Sequence, residues 1–467
     1  MEYENSPFKV VIVGGGITGL TLAHCLDRAG VDYVLLEKHI DICANIGGAI
    51  AVEPNGTQIL DQLGFYHDFK KKAHELRGWY YRYPGGNLTE SLWPAMLKER
   101  FGYPVVSIAR SDLLRVLSTS LQGDERIKLG VTVTVIDQPQ PNGPLSVTTS
   151  DGTKYTGDIV VGADGVHSMT RAEMWRMANL QRPGLITEQD KKAIKVDYMG
   201  IFGLAKIPPE ILQLEDSIVH RHKKWTLMVM PCYEGTVTWI LSLRLDQPYF
   251  WPSVPRWSMD EAKAQVIAKA DALAWGDVCL RDLWKYTAEP GVTPLYEGQL
   301  KTWSVGRIAC VGDSVFKTTP NLGLGANLSI ESAATIANTL RQLSHSTTKL
   351  TDAQVDAELN QYQKLLWDRF ATVDWISQMI TRRDAVDSIR CLITGFIMVK
   401  LPIDLAYTSA VDVIKVASLL HYLPLPDRAR QALVKHAAKK RGWGSIRVLA
   451  LCATVPALFL FLRFKYH

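Results

Sequence analysis

Three stretches of the chain carry residue types whose spacing could do chemistry. The first is Gly14-Gly15-Gly16-Ile17-Thr18-Gly19, a G-x-G-x-x-G run. Glycine at 14 permits a tight turn, at 16 it lets the backbone approach a pyrophosphate, and at 19 it lets a helix pack on a strand. A helix opening there would offer free N–H groups and its positive dipole end to phosphates. Glu37 lies 18 residues past Gly19, where a carboxylate can accept hydrogen bonds from a ribose. The run alone is a weak signal, shared with glycine-rich turns that hold no ligand, but that alternative leaves Glu37 unexplained. The second stretch is Gly162-Ala163-Asp164-Gly165-Val166-His167-Ser168, with Arg171 beyond it. The third is Gly312-Asp313, followed by Pro320-Asn321-Leu322-Gly323-Leu324-Gly325-Ala326-Asn327. Taken singly, Asp164-Gly165 reads as a turn and Asp313 as a helix cap.

These residues need elements to hold them. Phe8 to Val13 is a short apolar run, Ile17 to Ala29 has helical spacing of apolar residues, and Asp32 to Glu37 is a second apolar run. Strand, glycine turn, helix and strand make a βαβ unit, which implies a doubly wound parallel sheet. Helices are predicted from Asn55 to Leu63, with Asn55 as N-cap, and from Ser111 to Leu121. Strands are predicted over 127–136, 144–149 and 158–162. From about 190 to 250 the pattern is strand-rich with bulky aromatics. Arg307 to Val311 returns to the buried-strand pattern, and helices follow over about 326–343 and 353–380. The fold class expected is α/β: a doubly wound nucleotide-binding fold with an inserted β-rich substrate domain and a helical, apolar C-terminal region. The expected division is 1–190 as the first part of the binding domain, with substrate-domain segments interleaved at about 75–105. Then come 191–290 as substrate domain, 291–345 as the return segment, 346–445 as a helical region and 446–467 as a membrane anchor.

Composition narrows the function classes. Hydrophobic residues make up 47% and charged residues 21% of the 467, enough apolar material for a large core and unlike a disordered chain. The net charge of +5 is too small, and lacks the motifs, for nucleic-acid binding. The seven cysteines show no C-x-x-C pair and no disulfide framework, so reduced thiols facing a cytosol are expected. No secretory signal is visible, and the sequons at Asn87 and Asn327 are expected to carry nothing. After Asp427 no acid follows, while Arg428, Arg430, Lys435, Lys439, Lys440, Arg441 and Arg447 do. Val448 to Leu462 is then uncharged and mostly apolar, short of the roughly 17–25 residues of a full span and interrupted by Pro456. A membrane anchor or in-plane helix is expected there, with the catalytic part facing the cytosol.

The three stretches, in this order and spacing, resemble the flavoprotein monooxygenases of the para-hydroxybenzoate hydroxylase type over about residues 8–345. The resemblance implies FAD as cofactor and NADPH as reductant. It implies that Gly14, Gly16, Gly19 and Glu37 hold the FAD adenosine diphosphate. Asp164 would serve FAD and NADPH, Asp313 the ribityl chain, and Ala326 the helix start that faces the pyrophosphate. Arg110, in Ser107-Ile-Ala-Arg-Ser-Asp-Leu-Leu114, matches an arginine that opens a helix beside the flavin, although alone it reads as a surface ion-pair partner. Ala51 falls where the chain crosses the cofactor.

Residues 54–64, the Pro-Asn-Leu-Gly-Leu-Gly-Ala-Asn run and the apolar C-terminus look like fungal membrane-associated monooxygenases of meroterpenoid and indole-diterpene pathways, which epoxidise prenyl-chain alkenes. The chain departs from that pattern at Ala51, where relatives often have glycine, and at Glu53, where they often have an aromatic. The implied partners are an apolar small molecule and O₂.

The cofactor carries the oxygen chemistry, so the protein must exclude water and aim the substrate. No Ser-His-Asp or metal-binding spacing is present in the sequence. Tyr198 and His220, in strand-like segments, are candidate site acids, and for both a packed core or rim role is the simpler reading. The aromatics Trp225, Tyr233, Trp239, Tyr249, Phe250 and Trp251 line an apolar pocket on one reading and a core on the other. The same motifs would also suit a flavin-dependent hydroxylase of an aromatic substrate, a reductase or dehydrogenase acting on an isoprenoid, or a flavin-binding scaffold at a membrane.

Overall fold

The computed structural model describes residues 8–43, 47–400 and 418–441, together with Val411 and Ile414. The strand Lys9–Val13 runs into the glycine turn, the helix Ile17–Ala29 and the strand Asp32–Glu37. Lys9–Val13 pairs in parallel with Asp32–Glu37 on one side and with Ile159–Gly162 on the other, Val10 lying opposite Tyr33 and Ile159. The sheet has six strands in the order Ser304–Val305, Ile308–Cys310, Ile159–Gly162, Lys9–Val13, Asp32–Glu37 and Ile127–Leu129. Its central strands are unbroken apolar runs because helices cover both faces, so no alternation is needed. The helices Ile17–Ala29 and Gly325–Ser344 pack against each other on it. The single strand expected over 127–136 is two short strands, Ile127–Leu129 and Val133–Asp137, which join different sheets.

A second sheet has eight strands. In spatial order they are Phe316–Lys317, Gly291–Gln299, Lys195–Lys206, Thr236–Phe250, Trp225–Pro231, Ser217–His222, Trp79–Arg82 and Leu88–Ser91. Alternate residues of a strand face opposite sides. Met199, Ile201, Ile218, Leu227, Trp239 and Leu241 therefore share one face, packed against the helices Met259–Ile267 and Leu280–Lys285. Tyr198, Val219, Arg221 and Met230 fall on the other face, toward the rest of the molecule.

A small sheet bridges the two. Ala49–Val52 pairs with Val105–Ala109, which also pairs with His74–Leu76. Asn327 fixes this bridge from a distance of more than 270 residues. Its Nδ2 donates to the carbonyls of Ala51 and Gly323, both at 3.0 Å, and its Oδ1 accepts from the Glu53 N–H at 2.9 Å. The asparagine is fully buried, so no glycan fits there. The helix expected at Asn55 starts one residue earlier, at Pro54. Asn55 does not cap it; its side chain reaches across to Glu331.

The helix Asp352–Asp384 opens on a reciprocal Thr351–Gln354 capping box and lies along both sheets. Farther on, the chain returns to the first domain. Gln62 donates to the Leu420 carbonyl at 3.0 Å, Tyr422 donates to the Cys25 carbonyl at 2.7 Å, and Arg428 stacks over Tyr66.

The expectation of a membrane protein with a transmembrane helix is corrected here. Among the described residues, no helix is long and apolar enough to cross a membrane. The apolar stretch beginning at 389 forms the helix Ile389–Lys400, whose 12 residues rise about 18 Å against a hydrocarbon core of about 30 Å. Residues 446–467, the expected anchor, lie outside the described residues.

Asn327→Leu is expected to destabilise the flavin-free protein by about 3 kcal/mol, since it strands the buried Glu53 N–H and two carbonyls. The shift in urea midpoint at unchanged slope measures it.

Candidate active site

At the glycine turn, backbone packs on backbone. A side-chain carbon on Gly19 would lie 1.9 Å from the Gly14 carbonyl oxygen. One on Gly14, whose φ is +105°, would lie 2.6 Å from the Ala163 oxygen. Gly16 differs: a carbon there meets nothing within 4 Å. The turn is closed toward the protein and open at Gly16, on the outer side of a helix that starts there with no side-chain cap. Glu37 faces the same turn. Its carboxylate accepts from the Gly15 N–H at 2.5 Å and from the His39 N–H at 2.8 Å. It is held in place by backbone donors, with oxygen lone pairs left for a further donor.

The other two stretches close on this turn. Gly312, at φ +60°, packs so tightly that a side-chain carbon would lie 2.5 Å from Thr18 Oγ1. Asp164 turns inward: Oδ1 accepts from the Ser168 hydroxyl at 2.5 Å, and Oδ2 accepts from the Thr170 N–H at 2.9 Å. It thereby organises the start of the helix Met169–Gln181. The buried Arg171 joins the second stretch to the third, donating to the Val166 carbonyl at 2.7 Å and the Ser314 carbonyl at 2.6 Å. Its guanidinium is stacked over Trp251, with centroid distance 4.5 Å. Asp313 is half exposed and pairs with Lys317 at 2.6 Å. Arg110 lies within the field of Asp313 and Glu37. Burial lowers its pKa and those two carboxylates oppose the shift. Ala326 lies in the first turn of the helix Gly325–Ser344, which also lacks a side-chain cap. Two uncapped helix starts, an acceptor at a strand end and an open glycine make a cradle for a long molecule bearing phosphates.

Residues 7–353 match the family model described as an FAD binding domain. The chain is 38% identical over 425 residues to the FAD-dependent monooxygenase aurC of Calcarisporium arbuscula, covering 90% of this chain and 87% of that protein. It is 35% identical over 448 residues to the FAD-dependent monooxygenase ctvC of Aspergillus terreus, covering 95% and 93%. The chain belongs to the FAD-dependent monooxygenases. Its fold is shared with Klebsiella pneumoniae HpxO complexed with FAD and uric acid, at a TM-score of 0.71 and 21% identity, covering 88% of this chain and 97% of that one. A salicylate hydroxylase substrate complex superposes with a TM-score of 0.65 at 19% identity, covering 92% and 98%. The cradle fits FAD, because the Gly16 face and the two uncapped helix starts are the features a dinucleotide needs.

The two candidate acids of the monooxygenase part company. Tyr198 is fully buried on the inner face of the large sheet and donates to Asp387. Burial first, then the Asp387 charge, push its pKa well up. Arg382 links this spot to Asp197 and Glu297, an ion cluster that sequence reading missed because its members come from three distant elements. His220 is not brought to these groups. It lies on the other face of the sheet, buried, with Nε2 hydrogen-bonded to the Ala274 carbonyl at 2.7 Å. Desolvation drives its pKa down to about 4. The six aromatics do not share a pocket. Trp239 is core, Trp225 stacks on His222, Trp251 stacks on Arg171, and Tyr233 and Phe250 are exposed.

What faces the bridge strand instead is apolar. Ala51 packs in one cluster with Leu76, Trp79, Leu97, Val105, Val219 and Met230. Sequence periodicity could not show this, since the wall is assembled from segments around 50, 80, 100, 220 and 230.

Gly16→Ala is expected to fold with a stability within about 0.5 kcal/mol of the parent but to lose FAD, whereas Gly19→Ala loses both. Glu37→Ala and Asp313→Ala are expected to lose FAD, and Arg110→Ala to weaken its retention more than folding. Flavin absorbance per protein after reconstitution, set beside denaturation curves, separates these outcomes. His220 stays neutral in the folded state down to about pH 4, while the unfolded chain binds its proton near pH 6.5. Its contribution is present above pH 6.5 and lost as pH falls toward 4, amounting to about 3 kcal/mol. A His220→Gln variant should lack that loss in a pH series of urea midpoints.

Proposed function

We propose that this monooxygenase uses NADPH and O₂ to epoxidise an alkene in the prenyl chain of a meroterpenoid or related terpenoid intermediate of fungal secondary metabolism. The observation that carries the reading is the apolar wall of Trp79, Val219 and Met230 against Ala51, beside the strand assigned to the cofactor. Such a wall suits a hydrocarbon chain, and the fungal relatives support a secondary-metabolic role. Bound FAD supplies reduction by NADPH and insertion of one oxygen atom from O₂. The chain's own residues bind and shield. Gly14, Gly16, Gly19 and the helix start behind them hold the pyrophosphate, Glu37 the adenosine ribose and Asp313 the ribityl chain. Ala326 marks the second helix start, Arg110 neutralises charge between Glu37 and Asp313, and Asp164 shapes the turn behind the glycines. Ala51 lies between the cofactor and the apolar wall. Tyr198, donating to Asp387, is a polar end-point of the substrate face. The apolar wall keeps water from the reacting oxygen.

The test is to add NADPH to the FAD-bound protein without air, then admit ¹⁸O₂ with a farnesyl-substituted phenol. The expected result is bleaching of the flavin, recovery in air and a product heavier by one ¹⁸O atom in an epoxide. A ring-hydroxylated product would replace the epoxidase reading with that of an aromatic hydroxylase. Substrate turnover with no oxygen incorporated would point to a reductase or dehydrogenase.

A further inference from the structure

The bridge strand Ala49–Val52 ends on a residue that the cofactor assignment leaves unused. Glu53 is 4% exposed. Residues two apart in extended chain share a face, and Glu53 follows Ala51 in this way. A side-chain carbon on Gly323 would lie 3.2 Å from Ala51 Cβ and 3.7 Å from Glu53 Oε1. The carboxyl therefore sits under the Gly323 turn of the Pro320–Asn327 run. The family resemblance implies that Ala51 crosses the cofactor and that the helix start at Ala326 faces its pyrophosphate, which puts this corner beside bound FAD.

Two charged groups face it. Glu331, on the helix Gly325–Ser344, is fully buried, and Arg369 comes from the helix Asp352–Asp384. Arg369 grips Glu331 through two hydrogen bonds, Nε to Oε2 and Nη2 to Oε1, each 2.6 Å. Asn55 donates to the same carboxylate at 2.5 Å. One arginine thus faces two buried carboxyls and is engaged by one of them. Ionising Glu53 would add a second negative charge beside a single arginine in a desolvated site. Burial, and to a lesser extent Glu331, raise its pKa to about 8, with Arg369 opposing. The shift favours the neutral carboxylic acid near pH 7.

We propose that Glu53 is a positioning residue for the redox chemistry: its carboxyl, beside the Glu331–Arg369 pair, sets the charge next to the bound flavin and so its reduction potential. Reduction brings two electrons and one proton to the flavin and leaves one negative charge. A neutral Glu53 accommodates that charge. An ionised Glu53 opposes it and takes up a proton as the charge arrives. The electron pair is then accompanied by one proton when Glu53 starts neutral. When it starts ionised there are two, the second going to the Glu53 carboxylate. The inference rests on flavin being bound at this site and is independent of the substrate.

The experiment is an anaerobic reductive titration of the FAD-bound protein against reference dyes from pH 6 to 10, with no substrate. The wild type is expected to change from one to two protons per electron pair above about pH 8, and Glu53→Gln to keep one throughout. Glu53→Met, which retains bulk without charge, is the second variant should Glu53→Gln not hold flavin. A wild type with one proton per pair at every pH overturns the proposal, as does a break that survives in either variant. Failure of the wild type to bind FAD would instead count against the flavin site itself.

Discussion

Backbone-to-backbone contact at the glycine turn is the constraint on which the rest depends. The Gly14 carbonyl occupies the place of a Gly19 side chain, and the Ala163 carbonyl occupies the place of a Gly14 side chain. Thr18 likewise fills the space beside Gly312. Segments around residues 14, 163 and 312, about 150 residues apart, can therefore close on one point only if Gly14, Gly19 and Gly312 carry no Cβ. The helices Ile17–Ala29 and Gly325–Ser344 start here without side-chain caps, so a bound pyrophosphate would meet aligned backbone dipoles. The side-chain charges nearby are mostly committed: Asp164 to its own helix start, Arg171 to two carbonyls, Asp313 to Lys317.

What was legible in the sequence was what local chemistry dictates. Unbroken apolar runs gave the central strands of the parallel sheet, because a strand covered on both faces has no polar side to alternate with. Glycine spacing gave the turn, and the helices Ile17–Ala29 and Gly325–Ser344 stand within a residue of their expected bounds. What failed depended on partners far away in the chain. Asn55 has the right type and place for a cap, yet its side chain serves Glu331, 276 residues on. For His220 the simpler reading of a packed residue agrees with its burial, although the Ala274 carbonyl that holds it, 54 residues on, was not legible. The transmembrane expectation has no counterpart among the described residues, where no helix is long and apolar enough to cross a membrane.

The residues that tie the site together are buried and polar, and hydropathy conceals them. Asn327 sits in a glycosylation-like triplet but spends all three of its bonds inside the protein. Arg382, Asp197 and Glu297 converge from a helix and two strands. Such groups carry a heavy desolvation cost when left unpaired, so they fix how the long helix sits on the large sheet. The apolar wall around Ala51 is indifferent to small shifts by comparison. Registration comes from the polar contacts, and the apolar ones fill the space between the bridge strand and the large sheet.

The parallel pairing of Lys9–Val13 with Ile159–Gly162 has a consequence for how the molecule is made. At ribosomal speeds of about 5–20 residues per second, the first strand waits on the order of ten seconds for that neighbour. The Tyr422 hydroxyl that closes on the Cys25 carbonyl emerges later still, 397 residues after Cys25. Until Ile159–Gly162 arrives, an apolar strand edge is open to any other extended chain. Nascent chains of this protein would be vulnerable to mispairing during synthesis, and the returning C-terminal segment is the last latch on a domain whose first strand was made at the start.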